Sequence, residues 1–128
     1  MIIDDKLLYD LEYKASESPR LRMNHNLHES LESPCQRLIN FILPGSKLNV
    51  HRHTAETYMV IRGALEVIYY NDAAEEIKRI LVSPKCGVYG VNIPTGQWHT
   101  INALEPTAAF SVKIGPYKPS SSEDILSL

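Results

Sequence analysis

Apolar residues follow two rhythms along the chain, a helical one near the start and a strand-like one afterwards. Leu7, Leu8, Leu11 and Ala15 recur at intervals of three and four, which predicts a helix from about Asp4 to Glu17, capped by Asp4 or Asp5 and stopped at Ser18-Pro19. Its apolar stripe needs a partner, either the rest of the fold or a second subunit. From Leu21 the period changes to two. Leu21, Met23, His25 and Leu27 share one face of a strand, and Arg22, Asn24, Asn26 and His28 share the other. That second face is too polar for a core, so it meets water or lines a polar pocket.

Further strands are expected at Gln36–Leu43, Asn49–His53, Glu56–Ile61, Ala64–Tyr70, Glu75–Val82, Val88–Ile93, Trp98–Ala103 and Ala108–Ile114, with turn residues between them. Arg62-Gly63 reads as the turn of a hairpin, and Asn71-Asp72-Ala73-Ala74 as another. The Pro/Ser-rich tail from Gly115 reads as loose until Glu123-Asp124, where a short turn is expected. Many short strands with frequent turn signals suit a closed antiparallel jelly roll, which also removes exposed strand edges. The predicted fold is mainly β: a small single-domain jelly-roll β-barrel with an N-terminal α-helix. It divides into residues 1–19 (helix), 20–114 (barrel) and 115–128 (tail).

Composition narrows the partners. A chain of 128 residues suits one domain that buries roughly two thirds of its unfolded surface. Thirteen basic against fifteen acidic residues give a net charge of −2 with no like-charge block, so neither a nucleic-acid stripe nor a membrane-binding basic patch is indicated. A small-molecule ligand and a second copy of the chain, as a homodimer, are the expected partners. Asp4 and Asp5 interrupt the first apolar residues, and no apolar run nears the ~18 residues of a membrane span, so a cytoplasmic location is expected. Cys35 and Cys86 lack CxxC spacing and read as reduced, partly buried thiols.

The chemistry concentrates between Gly45 and Gly63. His51 and His53, two apart in an extended segment, point the same way, while Arg52 points to the other side and reads as a surface charge. Glu56 opens the next strand with Tyr58 in phase, and a third imidazole, His99, follows the turn Pro94-Thr95-Gly96. Arg62, also in phase with Glu56, is either a pocket-rim residue or simply exposed. Trp98 should face away from His99. A lone His-x-His is more often a polar face than a ligand pair; here three imidazoles and a carboxylate can converge on one divalent transition metal, of which Zn, Fe, Ni, Co and Mn suit such donors.

These residues carry a resemblance. Gly45, His51, His53, Glu56 and Gly63 fall on the pattern of the first cupin motif, and Pro94, Gly96 and His99 on the second. Only Thr54 and Ala55 separate His53 from Glu56, a short gap that leaves open a four-ligand site with Glu56 or a three-histidine one. Asn102 has no counterpart role because it sits one residue closer to His99 than the motif places it. Arg20–His28 and Gln36–Asn40 also resemble the WbuC-type cupin fold metalloproteins found among bacterial polysaccharide-synthesis genes. The resemblance implies a cupin barrel holding a metal at His51, His53, His99 and Glu56. It strengthens the reading of the polar face Arg22, Asn24, Asn26 and His28 as a substrate pocket, to which Tyr58, in phase with Glu56, adds an aromatic, and Glu56 and His28 are the candidate acid–base residues. Either a metalloenzyme acting on a carbohydrate or carboxylic acid or a non-catalytic metal-dependent binding protein fits that set.

Overall fold

The computed structural model describes residues 1–128. Helix α1 (Asp5–Glu17) starts where the Asp4 carboxylate accepts a hydrogen bond from the Leu7 amide at 3.0 Å, satisfying one of the free amides of the first turn. Strands β1 (Arg22–Asn26), β2 (Cys35–Ile42), β3 (Val50–His51), β4 (Glu56–Arg62), β5 (Leu65–Tyr70), β6 (Glu76–Val82), β7 (Gly90–Ile93), β8 (Trp98–Ala103), β9 (Thr107–Ile114) and β10 (Ile125–Leu126) follow. They form two five-stranded antiparallel sheets, in the orders β1-β2-β9-β4-β7 and β10-β3-β8-β5-β6. This is the expected jelly roll with an N-terminal helix.

Two apolar cores follow from the alternation of side chains. Between the sheets, Ile42, Tyr58, Val60, Leu65, Val67, Val82, Ile93 and Ile101 form a buried cluster. On the outer face of the first sheet, Ile39 and Phe41 of β2 meet Leu8, Leu11 and Ala15 of α1, with Met23 and Leu27 packed alongside. The odd-numbered face of the Arg22–His28 segment thus turns toward the helix and leaves the even-numbered face for the sandwich interior. Burying a side chain the size of Phe41 or Ile39 contributes roughly 1.5–3 kcal/mol, so α1 is held to the sheet by its stripe rather than by helix propensity.

Several expectations need correction. Arg62-Gly63 is not a hairpin turn: β4 and β5 lie in different sheets, and Gly63 carries the chain across the corner between them. Its φ is +103°, and an added Cβ there would come within 2.6 Å of the Pro106 carbonyl and 2.5 Å of Thr107 Oγ1. A turn glycine looks the same locally whether the next strand returns to its own sheet or passes to the facing one. The short turn expected at Glu123-Asp124 is present, and the tail goes on to add a strand that was not expected. Ser122–Asp124 forms a 3-10 turn and Ile125–Leu126 pairs with β3, Ile125 opposite His51. Arg52 is more than a surface charge. Its guanidinium stacks 4.4 Å from the centroid of the Trp98 ring and pairs with Asp124 at 3.1 Å, so it fastens the tail to the ligand strand. Arg62 stays away from the pocket, meeting Asp5, Glu12 and the Tyr9 ring of α1. Both cysteines are free and exposed rather than partly buried, because Cys35 is the first residue of β2, at the end of the sheet, and Cys86 ends a surface 3-10 turn. No helix is long and apolar enough to cross a membrane.

Candidate metal centre

Register places the first two imidazoles side by side. His51 of β3 is directly opposite His99 of β8, with ring centroids 4.4 Å apart. His53 lies just past the end of β3, its ring 4.9 Å from each of the other two. Its backbone is fixed by the Pro94-Thr95-Gly96 turn: the Gly96 amide donates to the His53 carbonyl at 3.0 Å, in a conformation with φ +78° that glycine accepts without strain. Trp98 points the opposite way from His99, as alternation requires, and its indole donates to Asp72.

All three rings are held in the same tautomer. His51 Nδ1 meets the Asn49 carbonyl at 2.8 Å, His53 Nδ1 the Thr54 carbonyl at 2.6 Å, and His99 Nδ1 the Gln97 carbonyl at 2.8 Å. A carbonyl oxygen only accepts, so each Nδ1 carries the proton and each Nε2 presents a lone pair. One ligand atom from each of the three lies within 4.8 Å of the other two. His99 is 1% exposed, and its Nε2 has no hydrogen-bond partner. A buried, unpartnered lone pair among two others is costly unless something binds it. Backbone carbonyls behind the rings and converging nitrogens in front fit a divalent metal, and His51, His53 and His99 could hold one.

Protonation favours the same conclusion. Burial lowers the His99 pKa to about 4, helped by the nearby His51 and His53 against the Gln97 hydrogen bond. Burial also lowers that of His51. Both rings are therefore neutral, the form a metal requires, at neutral pH.

Glu56, 5% exposed, touches the cluster through His53, with Oε1 3.3 Å from His53 Nε2, but is not part of the converging set. Burial pushes its carboxyl up, yet the contact with His53 and the positive charge of Lys113 outweigh burial and leave the pKa below its ordinary value. Tyr58 sits beside it, and burial, followed by the nearby Glu56 charge, raises its phenol well above the usual range.

A cavity of about 320 Å³ opens from this centre, and Arg22, Asn24, Asn26 and His28 all line it together with His51, His53, Glu56 and Tyr58. Asn24 and Asn26 are solvent-exposed at its open edge, whereas His28 is buried. His99 is adjacent to the cavity wall through His51 and His53 but is not itself among the lining residues. Sequence reasoning missed Arg20, Gln36, Asn40, Lys113 and Lys118, which also line it. Gln36 and Asn40 lie in phase on β2, and Lys113 is in phase with the buried Ser111 and Ala109 of β9. Polar residues in phase with a buried face were the available signal.

His28 differs from the three converging histidines. The Arg37 amide donates to its Nδ1 at 3.0 Å, so the proton of the neutral ring sits on Nε2. The Arg37 carbonyl lies equally near, at 3.0 Å, but the Arg37 N–H can only donate and a proton on Nδ1 would oppose it, so Nδ1 is the acceptor. His28 thus presents a donor where the other three present lone pairs, and its role is hydrogen-bond donor or acid rather than ligand.

Two facing five-stranded antiparallel sheets in these orders give the jelly-roll fold of the cupins, and solved structures agree. A conserved protein of unknown function from Streptococcus pyogenes superposes with a TM-score of 0.63 at 11% identity, over 92% of this chain and 90% of that one. A cupin superfamily protein from Desulfitobacterium hafniense gives 0.59 at 12% identity, over 73% and 76%. An iron(II) form of HppE in complex with substrate gives 0.57 at 14% identity, over 73% and 54%. No curated protein sequence matches the chain. The profile of DUF6016, described as a domain of unknown function, matches residues 3–82, and the chain belongs to that family.

Proposed function

We propose that this protein is a metalloenzyme that binds one divalent transition metal through His51, His53 and His99 and acts on a small polar substrate in the adjoining cavity. The carrying observation is the convergence of three lone-pair nitrogens whose opposite nitrogens are all committed to backbone carbonyls. A metal held there supplies Lewis acidity, polarising a substrate oxygen or lowering the pKa of bound water. Glu56, ionised and held between His53 and Tyr58, either completes the ligand set or accepts a proton from the substrate. His28 offers a proton or a hydrogen bond from Nε2, and Asn24 and Asn26, which both donate and accept, suit hydroxyl or carboxyl groups at the cavity edge.

A second reading keeps the metal and removes the reaction: a binding protein in which the metal orients a metabolite. It is favoured by the exposure of Asn24 and Asn26, which leaves the cavity open to water along that edge. The homodimer, the cytoplasmic location and a link to polysaccharide synthesis belong to the same proposal. The last rests on the WbuC-like Arg20–His28 and Gln36–Asn40 segments.

The test begins with metal analysis of protein purified under anaerobic conditions. His53→Ala and His99→Ala should each abolish stoichiometric metal while the fold survives on its two apolar cores. Full metal content in both variants would overturn the assignment. Turnover in a screen of sugars and organic acids, lost on metal removal, separates the enzyme from the binding protein.

A further inference from the structure

We propose that the cavity is an oxyanion pocket: its ligand carries a carboxylate or phosphate that meets the His28 Nε2–H and the Lys113 ammonium beside the metal centre, with Arg22 and Arg20 drawing further negative charge toward the opposite end. The inference rests on the reading of this cavity as the ligand site and narrows its ligand from small polar molecules to acids.

Charge is the first observation. Four cations line the cavity, Arg20, Arg22, Lys113 and Lys118, against a single carboxylate, Glu56, so the lining carries +3 by formal charge (four minus one). The chain as a whole is −2. The lysine and arginine ion pairs of the fold use Lys14, Arg52, Arg62, Arg79 and Lys85, none of which lines this cavity. The four lining cations have no carboxylate partner. Arg22 is the most telling, because it is half-buried, its one hydrogen bond is a long 3.5 Å contact to the Lys47 carbonyl, and burial and the neighbouring Arg20 both lower its pKa. Two guanidiniums held close without an anion are unfavourable in the empty protein and become favourable when an anion fills the space.

His28 supplies an independent observation. It is 7% exposed, it lines the cavity, and its Nε2 has no partner. With Nδ1 accepting from Arg37, that unpartnered nitrogen is a donor, and a buried donor without an acceptor marks the position of a ligand oxygen. Register relates it to the metal centre. Gln36 is opposite Lys113, and Lys113 is opposite Glu56, while the pairing of Asn26 with Leu38 continues to His28 beside Gln36. Lys113 therefore lies on the row between Glu56 and His28, and its charge is felt at both Glu56 and His51. Neighbouring strands are about 5 Å apart, so an acidic ligand lying along this row would meet His28 and Lys113 and have the metal centre at its Glu56 end. Arg22 lies six residues from His28, roughly 20 Å along the extended chain, so its long side chain addresses the other end of the ligand.

The experiment uses the metal-free full chain, so that coordination cannot supply the binding. Inorganic phosphate, succinate and glucose are titrated calorimetrically at low salt into wild type and into Arg22→Gln, Lys113→Gln and His28→Phe, with Lys78→Gln as a control outside the cavity. Phosphate or succinate should bind saturably and at least tenfold tighter than glucose, and the relative strength of the two distinguishes phosphate from carboxylate recognition. Each of the three cavity variants should weaken that binding about tenfold or more, and Lys78→Gln should not. In ¹⁵N spectra His28 should show a protonated Nε2 that shifts on anion addition. If His28→Phe fails to fold, the two glutamine variants at half-exposed positions and the wild-type spectrum still decide. Glucose binding as tightly as the anions, wild-type affinity in Arg22→Gln and Lys113→Gln, or a His28 ring protonated on Nδ1 would overturn the proposal. Metal content measured on the same preparations separates the two claims: anion binding without stoichiometric metal sinks only the metalloenzyme reading, and metal without anion binding sinks only this one.

Discussion

Stripping the metal and lowering the pH should destabilise the protein in a window set by His99. This ring titrates near 6.5 in an unfolded chain and at about 4 in the folded metal-free protein, because burial at 1% exposure disfavours its charged form. Between those values the unfolded state binds more protons than the folded state, so stability rises with pH and is lost as pH falls. From pH 7.5 to pH 5.0 the two titrations give about 2 kcal/mol lost through His99, and about 3 kcal/mol by the time pH reaches the folded value. His51 is shifted in the same direction and adds to the slope. Glu56, whose pKa is lowered, contributes stability that is lost only further down, as pH falls through the carboxylate range, so a lower limit of pH 5.0 keeps it out of the measurement. The assay is urea unfolding of the chelator-treated protein at half-unit steps, alongside His99→Gln. The difference between the two curves should show about 2 kcal/mol of pH dependence belonging to His99. A wild-type curve flat to within ~0.5 kcal/mol, or an identical slope in the variant, would refute the placement of a neutral imidazole in this site.

Two further outcomes test how the site is built. Gly63→Ala combines a positive φ with overlap against the Pro106 and Thr107 backbone, so urea unfolding should show a loss of about 2–5 kcal/mol; a loss under 1 kcal/mol would mean the corner between the sheets is loose. Arg52→Ala removes the stack on Trp98 and the bond to Asp124, so the amide of residue 52, which donates to the Asp124 carbonyl, should exchange about tenfold faster, and unchanged protection would show that the tail is held by other contacts.

The legible parts of the chain were those governed by a local period. Alternation alone put His51 and His53 on one side with Arg52 on the other, and separated the helix-facing Met23 and Leu27 from the cavity-facing Arg22 and His28. Three-and-four spacing located α1 to within a residue. The hidden parts depend on which distant segments meet. Gly63 carries the same local signal in a hairpin as in a corner, and only the pairing of β4 with β9 and of β5 with β8 tells them apart. Ile125 and Leu126 are too few to show a period, and they become a strand because β3 offers an edge. The charge of the cavity was likewise invisible, since Arg20, Lys113 and Lys118 come from three separated segments. The tautomers of the histidines were hidden for another reason: each is fixed by a backbone group whose direction exists only in the folded chain.

The central claim, that three imidazoles share one ion, is tested most directly by X-ray absorption at the edge of a metal loaded to one equivalent per chain. The account predicts three nitrogen scatterers at about 2.0–2.1 Å carrying the outer-shell pattern of imidazole rings, reduced to two in His51→Ala. A first shell without imidazole scattering, or a spectrum unchanged in that variant, would contradict it.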